Sequence, residues 1–338
     1  MRVAVVGASG YAGQELLRLL ATHPEMEVVL ATGESAAGTS IAEHAPALAA
    51  LYPSETFAPT SEVLEHQLDA VFLALPHGQS QRWVPELVEA GVAVFDLGAD
   101  FRLRDPLVYA EWYGSTHSAP VLLAPAVYGL VERHRGELAG ARLVAVPGCY
   151  PTASVLALGP FVDAGLIEAQ GIVVNALSGA SGAGRGLNER LHFSRLASNA
   201  EAYSLLRHRH TPEMQQELGV ELLFTPHLVP VARGMLVSAY ARVRDAELTT
   251  ERALEVLRAA YAPEPFVVVT ETPPTLKDPV GSNLCFVSAR VDERTGWLVA
   301  MSSIDNLLKG AAGQAVQAFN VALGFEETLG LPRAGVTP

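Results

Sequence analysis

Apolar and polar positions follow a repeating order along the first half of the chain. Residues 2–6 are a short apolar run, and Gly7-Ala8-Ser9-Gly10-Tyr11-Ala12-Gly13 comes next. Gln14-Glu15-Leu16-Leu17-Arg18-Leu19-Leu20 then spaces its leucines as one face of a helix, which His23-Pro24 stops. Residues 28–31 are a second apolar strand, so the chain opens with a βαβ unit. The order continues with a buried-type strand at 70–75, a helix at 80–90, a strand at 93–97 and a strand at 143–146. Strands that alternate with helices predict an α/β domain with a Rossmann-type, doubly wound parallel sheet.

The pattern changes at Pro147-Gly148-Cys149. A helix over about 152–161 precedes strand candidates at 171–177, 234–243, 266–270, 284–291 and 297–302. Only two further helices, near 212–218 and 249–260, lie among them. That run of strands predicts a second, α+β domain with a mixed or antiparallel sheet. Residues 306–324 read as a last apolar helix, in which Ala311-Ala312-Gly313 is small enough for close packing, and the tail 331–338 reads as frayed.

Composition narrows the function. The chain has 338 residues, more than one core usually serves, which agrees with two domains. A net charge of −13 argues against a general nucleic-acid binder, while leaving room for a local basic pocket. No apolar run approaches the length of a membrane span, and the amino end lacks the features of a signal peptide. A cytoplasmic location is expected. The two cysteines then need not form a disulfide, and being so far apart they make a poor metal site.

Gly7, Gly10 and Gly13 can turn the backbone tightly and bring it close to a pyrophosphate, which the helix starting near Tyr11 would attract with its free N–H groups. Ser9, Tyr11 and Ala12 belong to the same turn. Glu34 stands near the position that suits the 2′-hydroxyl of NAD, whereas Thr32 and Ser35 could hydrogen-bond a 2′-phosphate. The residues alone leave NAD and NADP open.

Cys149 lies where a strand ends, a turn follows and a helix begins, with Pro151 expected at the first helical position. A helix dipole stabilises a thiolate there, so Cys149 is the candidate nucleophile. Cys285, inside Leu284-Cys285-Phe286-Val287, reads as core. In Arg207-His208-Arg209-His210-Thr211-Pro212-Glu213, the two histidines project from one side of an extended segment, and Thr211 can cap the helix that Pro212 opens. A histidine there could hold the thiolate and handle protons, and Glu213 could orient an imidazole. His-x-His lacks companions at zinc-ligand spacing, so no metal is expected. The loop Ser178-Gly179-Ala180-Ser181-Gly182-Ala183-Gly184 could pass close to a cofactor or phosphate, or be a loose surface loop.

Several segments together resemble N-acetyl-γ-glutamyl-phosphate reductase: GASGYAGQELLRLL at 7–20, LALPHG at 73–78, DLGADFRL at 96–103, VPGCYPT at 146–152, SGASGAGR at 178–185, HRHTPEM at 208–214, HLVPVARGM at 227–235 and DNLLKGAAGQAVQ at 305–317. The resemblance spans nearly the whole chain, in order. It implies an NADP(H)-dependent enzyme that makes a semialdehyde for arginine biosynthesis through a cysteine thioester. The nucleophile would be Cys149, and His208 and His210 would be catalytic or substrate-binding, with His210 the acid/base. Leu75, Pro76, His77, Ser178, Gly179, Gly182 and Asn306 would adjoin the cofactor, with Asp305 and Lys309 near by. Arg102, Arg185, Arg209 and Arg233 are candidates for the substrate phosphate. The implied domains are 1–148, completed by a helix at 306–330, and 149–305. The likeness also implies a homo-oligomer, a dimer or tetramer.

The chain departs from the family at Leu205-Leu206-Arg207, where relatives are glycine-rich, and over 186–204, which the resemblance makes part of the acyl pocket. Two rival readings stay open at this point. One is the same chemistry on a carrier-linked acyl phosphate of lysine biosynthesis; the other is a non-catalytic dinucleotide sensor.

Overall fold

Strand β1 (Arg2–Val6) leads through the glycine turn into a helix at Tyr11–Leu20 whose Leu16, Leu17, Leu19 and Leu20 are buried. A computed structural model describes residues 1–336, which divide into two units. The first joins Met1–Pro147 to Ala311–Leu331; the second is Gly148–Gly310 with the tail from Pro332.

In the first unit, β2 (Glu27–Ala31), β3 (Ala70–Leu73), β4 (Ala93–Asp96), β5 (Val127–Tyr128) and β6 (Leu143–Ala145) join β1 in a six-stranded sheet. Its order is β2-β1-β3-β4-β6-β5, and every pair is parallel. Parallel strands covered on both faces read as unbroken apolar runs, and every residue of β3 and β4 is buried. The helix Gly313–Ala322 belongs to this unit. Its Phe319 ring lies 5.6 Å from Phe72 and 5.3 Å from Phe95, on neighbouring strands.

The second unit is built on seven strands: β7 (Ile172–Gly179), β8 (Glu201–Ala202), β9 (Leu222–Val229), β10 (Met235–Arg242), β11 (Val267–Val269), β12 (Cys285–Asp292) and β13 (Trp297–Ile304). Their order is β11-β12-β13-β10-β7-β9-β8. The sheet is mixed: β7 with β9 and β11 with β12 are parallel, and the other pairs are antiparallel. Burial alternates along β10, with Val237, Ala239 and Ala241 inward and Leu236, Ser238 and Tyr240 on the other face. Cys285 is fully buried on β12 opposite Ile304, so it is core.

Four local differences from the sequence reading have physical causes. Strand β9 was not expected because Pro226 interrupts it; the strand tolerates the proline because its neighbour β8 pairs only with Leu228 and His227. The cysteine helix runs Cys149–Asp163, so Pro151 is its third residue, where a missing N–H still costs no helical bond. The last helix is two pieces, a π-helical turn at Leu308–Ala312 and an α-helix at Gly313–Ala322. The tail is tied down up to Val336: Leu331 is buried, Asn283 N–H donates to Pro332 O, and Val336 N–H donates to Val280 O. The last two residues of the frayed-tail reading lie outside the described residues. Among the described residues, no helix is long and apolar enough to cross a membrane.

Candidate active site

The glycine turn in the first unit divides into two roles. Gly7 has φ +81°, and a Cβ on it would lie 2.4 Å from Ala74 O; a Cβ on Gly13 would lie 2.4 Å from Gly7 O. Both are demanded by the protein's own packing. Gly10 is different, because a Cβ there would meet nothing nearer than 3.5 Å. It caps the helix with no side chain, and the first helical bond is Gln14 N–H to Gly10 O. The N–H groups of Tyr11, Ala12 and Gly13 therefore point out of the helix end, the arrangement that receives a dinucleotide's phosphates. The site residues fit a nicotinamide dinucleotide in this respect.

Thr32 plays another part than the one expected. It is fully buried, its hydroxyl accepts from Gly7 N–H and its carbonyl from Ala8 N–H, so it braces the turn rather than facing a ribose. Glu34 accepts from Thr60 N–H with one carboxylate oxygen, and Ser35 beside it is exposed. The loop with Leu75, Pro76 and His77 follows β3. It is organised by a residue the sequence reading passed over: buried Asp100 accepts from the N–H groups of Gly78, Ser80 and Gln81 and from the Tyr109 hydroxyl.

In the second unit, Cys149 is the first residue of its helix and is only partly buried. Gly148 N–H donates to Glu213 Oε1 at 2.8 Å, and Thr152 ties back to Gly148 O through both its N–H and its hydroxyl. Glu213 is buried, so one established use of its carboxylate is to hold the cysteine turn. Tyr150 follows Cys149 and packs edge-on against His208 at 5.4 Å and His210 at 5.9 Å between ring centroids. Its hydroxyl lies 2.9 Å from that of Tyr203, whose ring also packs on His208. Burial first, and the Cys149 sulfur beside them, raise both tyrosines, Tyr203 to about 12; the bond between the phenols raises Tyr150 further and partly offsets the rise of Tyr203, so both keep their protons at neutral pH.

The histidine segment is a turn rather than an extended stretch: Arg207 N–H donates to Ser204 O, and Thr211 N–H to His208 O. The two rings nevertheless lie 4.8 Å apart. His208 Nδ1 accepts from His210 N–H at 3.2 Å, which places its proton on Nε2. Burial, with Arg209 adding to it, lowers His208 to about 4 and keeps it neutral. His210 is the N-cap of the helix Thr211–Leu218; Thr211 is inside that helix, which has no side-chain cap.

The four arginines divide. Arg102 is buried in the first unit and donates to the carbonyls of Val146 and Leu97, so it supports the fold there. Arg233 pairs with the buried carboxylate of Asp305. Arg185 and Arg209 are exposed on the second unit. The glycine loop after β7 is pinned rather than loose. Ala180 and Ser181 N–H donate to Val231 and Ala232 O, and Asn306 donates to the Ser181 hydroxyl while accepting from Gly234 N–H. Lys309 is fully buried, with its ammonium 5.9 Å from the Phe266 ring centre. Among the described residues, no group of three or more His, Cys, Asp or Glu could hold a metal ion.

The first unit's sequence matches the family "Semialdehyde dehydrogenase, NAD binding domain" over residues 2–141, and the second matches "Semialdehyde dehydrogenase, dimerisation domain" over 149–306. Among curated proteins, N-acetyl-gamma-glutamyl-phosphate reductase of Symbiobacterium thermophilum is 48% identical over 99% of this chain and 98% of its own. The protein of the same name from Heliobacterium modesticaldum is 43% identical over the whole of both chains. Among solved structures, aspartate semialdehyde dehydrogenase II of Vibrio cholerae aligns over 95% of this chain and 97% of its own, with TM-score 0.72 and 19% identity. Aspartate semialdehyde dehydrogenase with NADP from Candida albicans aligns with TM-score 0.68 and 17% identity, over 95% of this chain and 97% of its own. At that identity these two structures speak for the fold, while the full-length relatives speak for the family: the chain belongs to the semialdehyde dehydrogenases and, within them, to the N-acetyl-γ-glutamyl-phosphate reductases.

Proposed function

We propose that the chain reduces N-acetyl-γ-glutamyl phosphate to N-acetylglutamate semialdehyde, with release of phosphate, through a thioester on Cys149. The observation that carries this is the placement of Cys149 at the head of a 15-residue helix, with the preceding N–H bonded to Glu213 of the histidine segment. A thiol there has its anion favoured by the helix end.

The thiolate attacks the γ-carbonyl carbon, the C–S bond forms, and the C–O bond to phosphate breaks. Arg185 and Arg209 are the arginines we assign to the departing phosphate, since the guanidinium fork matches it. A nicotinamide cofactor, when bound at the glycine turn, would supply the hydride that reduces the thioester. The thiohemiacetal then collapses, its C–S bond breaks, and Cys149 is returned as thiolate. His210 exchanges the proton at the substrate oxygen during these steps. His208, held neutral, orients the segment instead. Splitting the reduction through a thioester replaces one hard step by two easier ones.

NADPH is the proposed reductant, because the resemblance implies it and Glu34 already engages Thr60 N–H, leaving Ser35 exposed beside it. The proposed assembly is a homo-oligomer joined through the sheet face bearing Leu236, Ser238 and Tyr240, alongside Asn175, Leu177, Thr225 and His227. Sedimentation at twice the chain mass or more is expected, and a monomer at micromolar concentration would contradict it. A cytoplasmic setting completes the proposal.

The test is NADP⁺ reduction in the reverse direction, with N-acetylglutamate semialdehyde and phosphate, beside Cys149→Ser. Wild-type turnover that falls by at least a thousandfold in the variant, with NADP⁺ still bound, is expected. Inactivity on the free semialdehyde together with turnover of a carrier-linked one would overturn the substrate assignment.

A further inference from the structure

The π-helical turn Leu308–Ala312 brings Gly310 against the cysteine. A Cβ on Gly310 would lie 2.8 Å from Cys149 Cβ, and 3.3 Å from both Asp305 O and Ile304 Cδ1. Real Cβ atoms do not approach so closely, so something would have to move.

Neither side of this contact is easily moved. On one side, the Gly310 N–H donates to Asp305 O at 2.9 Å, five residues back, which is the bond of a π-helix. Asp305 is fully buried, and its carboxylate accepts from the N–H groups of Leu307, Leu308 and Gly281 and from the Arg233 guanidinium. On the other side, the cysteine turn is fixed by Glu213 and Thr152. An α-helical turn carries one residue fewer per ring, so the extra residue of the π-turn is what changes the aim of the backbone here.

We infer that Gly310, held by the Asp305–Arg233 pair, is a positioning residue for the nucleophile. It leaves the Cys149 side chain the space to keep its attacking direction. Arg233 thereby acts through Asp305 on the site rather than on the phosphate. The inference rests on Cys149 being the nucleophile, but its contact geometry can be tested without turnover.

The experiment compares wild type with Gly310→Ala by iodoacetamide alkylation of Cys149 across pH, followed by peptide mass analysis that separates it from Cys285. The expected result is a fall of tenfold or more in the alkylation rate on its alkaline plateau, where the thiol is fully ionised. Alongside it, kcat should fall at least tenfold while the KM for the acyl phosphate changes less than threefold. Alkylation and kcat within twofold of wild type would overturn the inference, as would a loss of kcat with unchanged alkylation. If Gly310→Ala folds poorly, its melting temperature is compared in the Cys149→Gly background. There the substitution should cost clearly less than in wild type, and an equal loss in both backgrounds would overturn the contact. If the proposed reaction is not catalysed at all, the alkylation and melting results still decide the geometry.

Discussion

At the scale of single residues, the structure explains why a glycine-rich approach to the histidine segment would suit this fold. Leu206 has φ +59° and Ser204 φ +47°, in the left-handed region where a side chain is strained. Leu206 is also exposed, so its side chain returns little in packing. Leu206→Gly is therefore expected to be neutral or to stabilise by up to about 1 kcal/mol, the left-handed penalty offset by the entropy of glycine. Denaturant unfolding checks this, and a loss of more than 1 kcal/mol would contradict it. His208 gives a pH prediction. Its pKa falls from 6.5 unfolded to about 4 folded, so the unfolded chain takes up the proton first on acidification. Its contribution to stability is complete above the unfolded value and is lost between there and the folded one. Between pH 7.5 and pH 5, wild type should lose roughly 1–2 kcal/mol more than His208→Gln. Parallel losses in the two proteins would assign the acid sensitivity to other groups.

At the scale of elements, the helix Thr211–Leu218 steadies the helix Cys149–Asp163 through Glu213. Glu213→Ala leaves a buried Gly148 N–H without that acceptor, which costs about 1–3 kcal/mol. It should lower both the melting temperature and the rate of cysteine alkylation. Glu213→Gln keeps an amide oxygen at the same reach and should recover most of both, whereas equal defects in the two variants would contradict a hydrogen-bonding role. The elements also show what was legible beforehand. The leucine spacing of 14–20 and the apolar runs of β3 and β4 announce themselves, because burial on one stripe or both faces leaves a periodic signal. Strand β9 does not, because Pro226 stands in its middle, where a proline argues against a strand, although burial alternates along it and it pairs with β7 and β8. The two pieces of the last helix look alike in sequence, since a π-turn is set by the bonds of Asp305 and not by composition.

At the scale of the whole molecule, each unit holds a distinct part of the proposed chemistry. The first has a glycine turn whose free helix end suits phosphates, and the second has a cysteine held by a histidine segment. The cysteine turn and the neighbouring histidines of the proposed site are legible in the sequence because turns and paired histidines are local signals. Asp100, Tyr203 and Gly310 could not, because their roles come from partners distant in sequence. Arg102 and Thr32 were misread for the same reason: only the fold shows that their donors and acceptors are used internally.

The central claim is that Cys149 carries the acyl group. It is tested most directly by mixing the enzyme with N-acetyl-γ-glutamyl phosphate in the absence of NADPH, quenching in acid and weighing the intact protein. The account predicts one acyl group per chain, released phosphate in equal amount, the adduct on the peptide containing Cys149, and no adduct in Cys149→Ser. Turnover by an enzyme that never gains this mass, or an adduct that persists in Cys149→Ser, would contradict it.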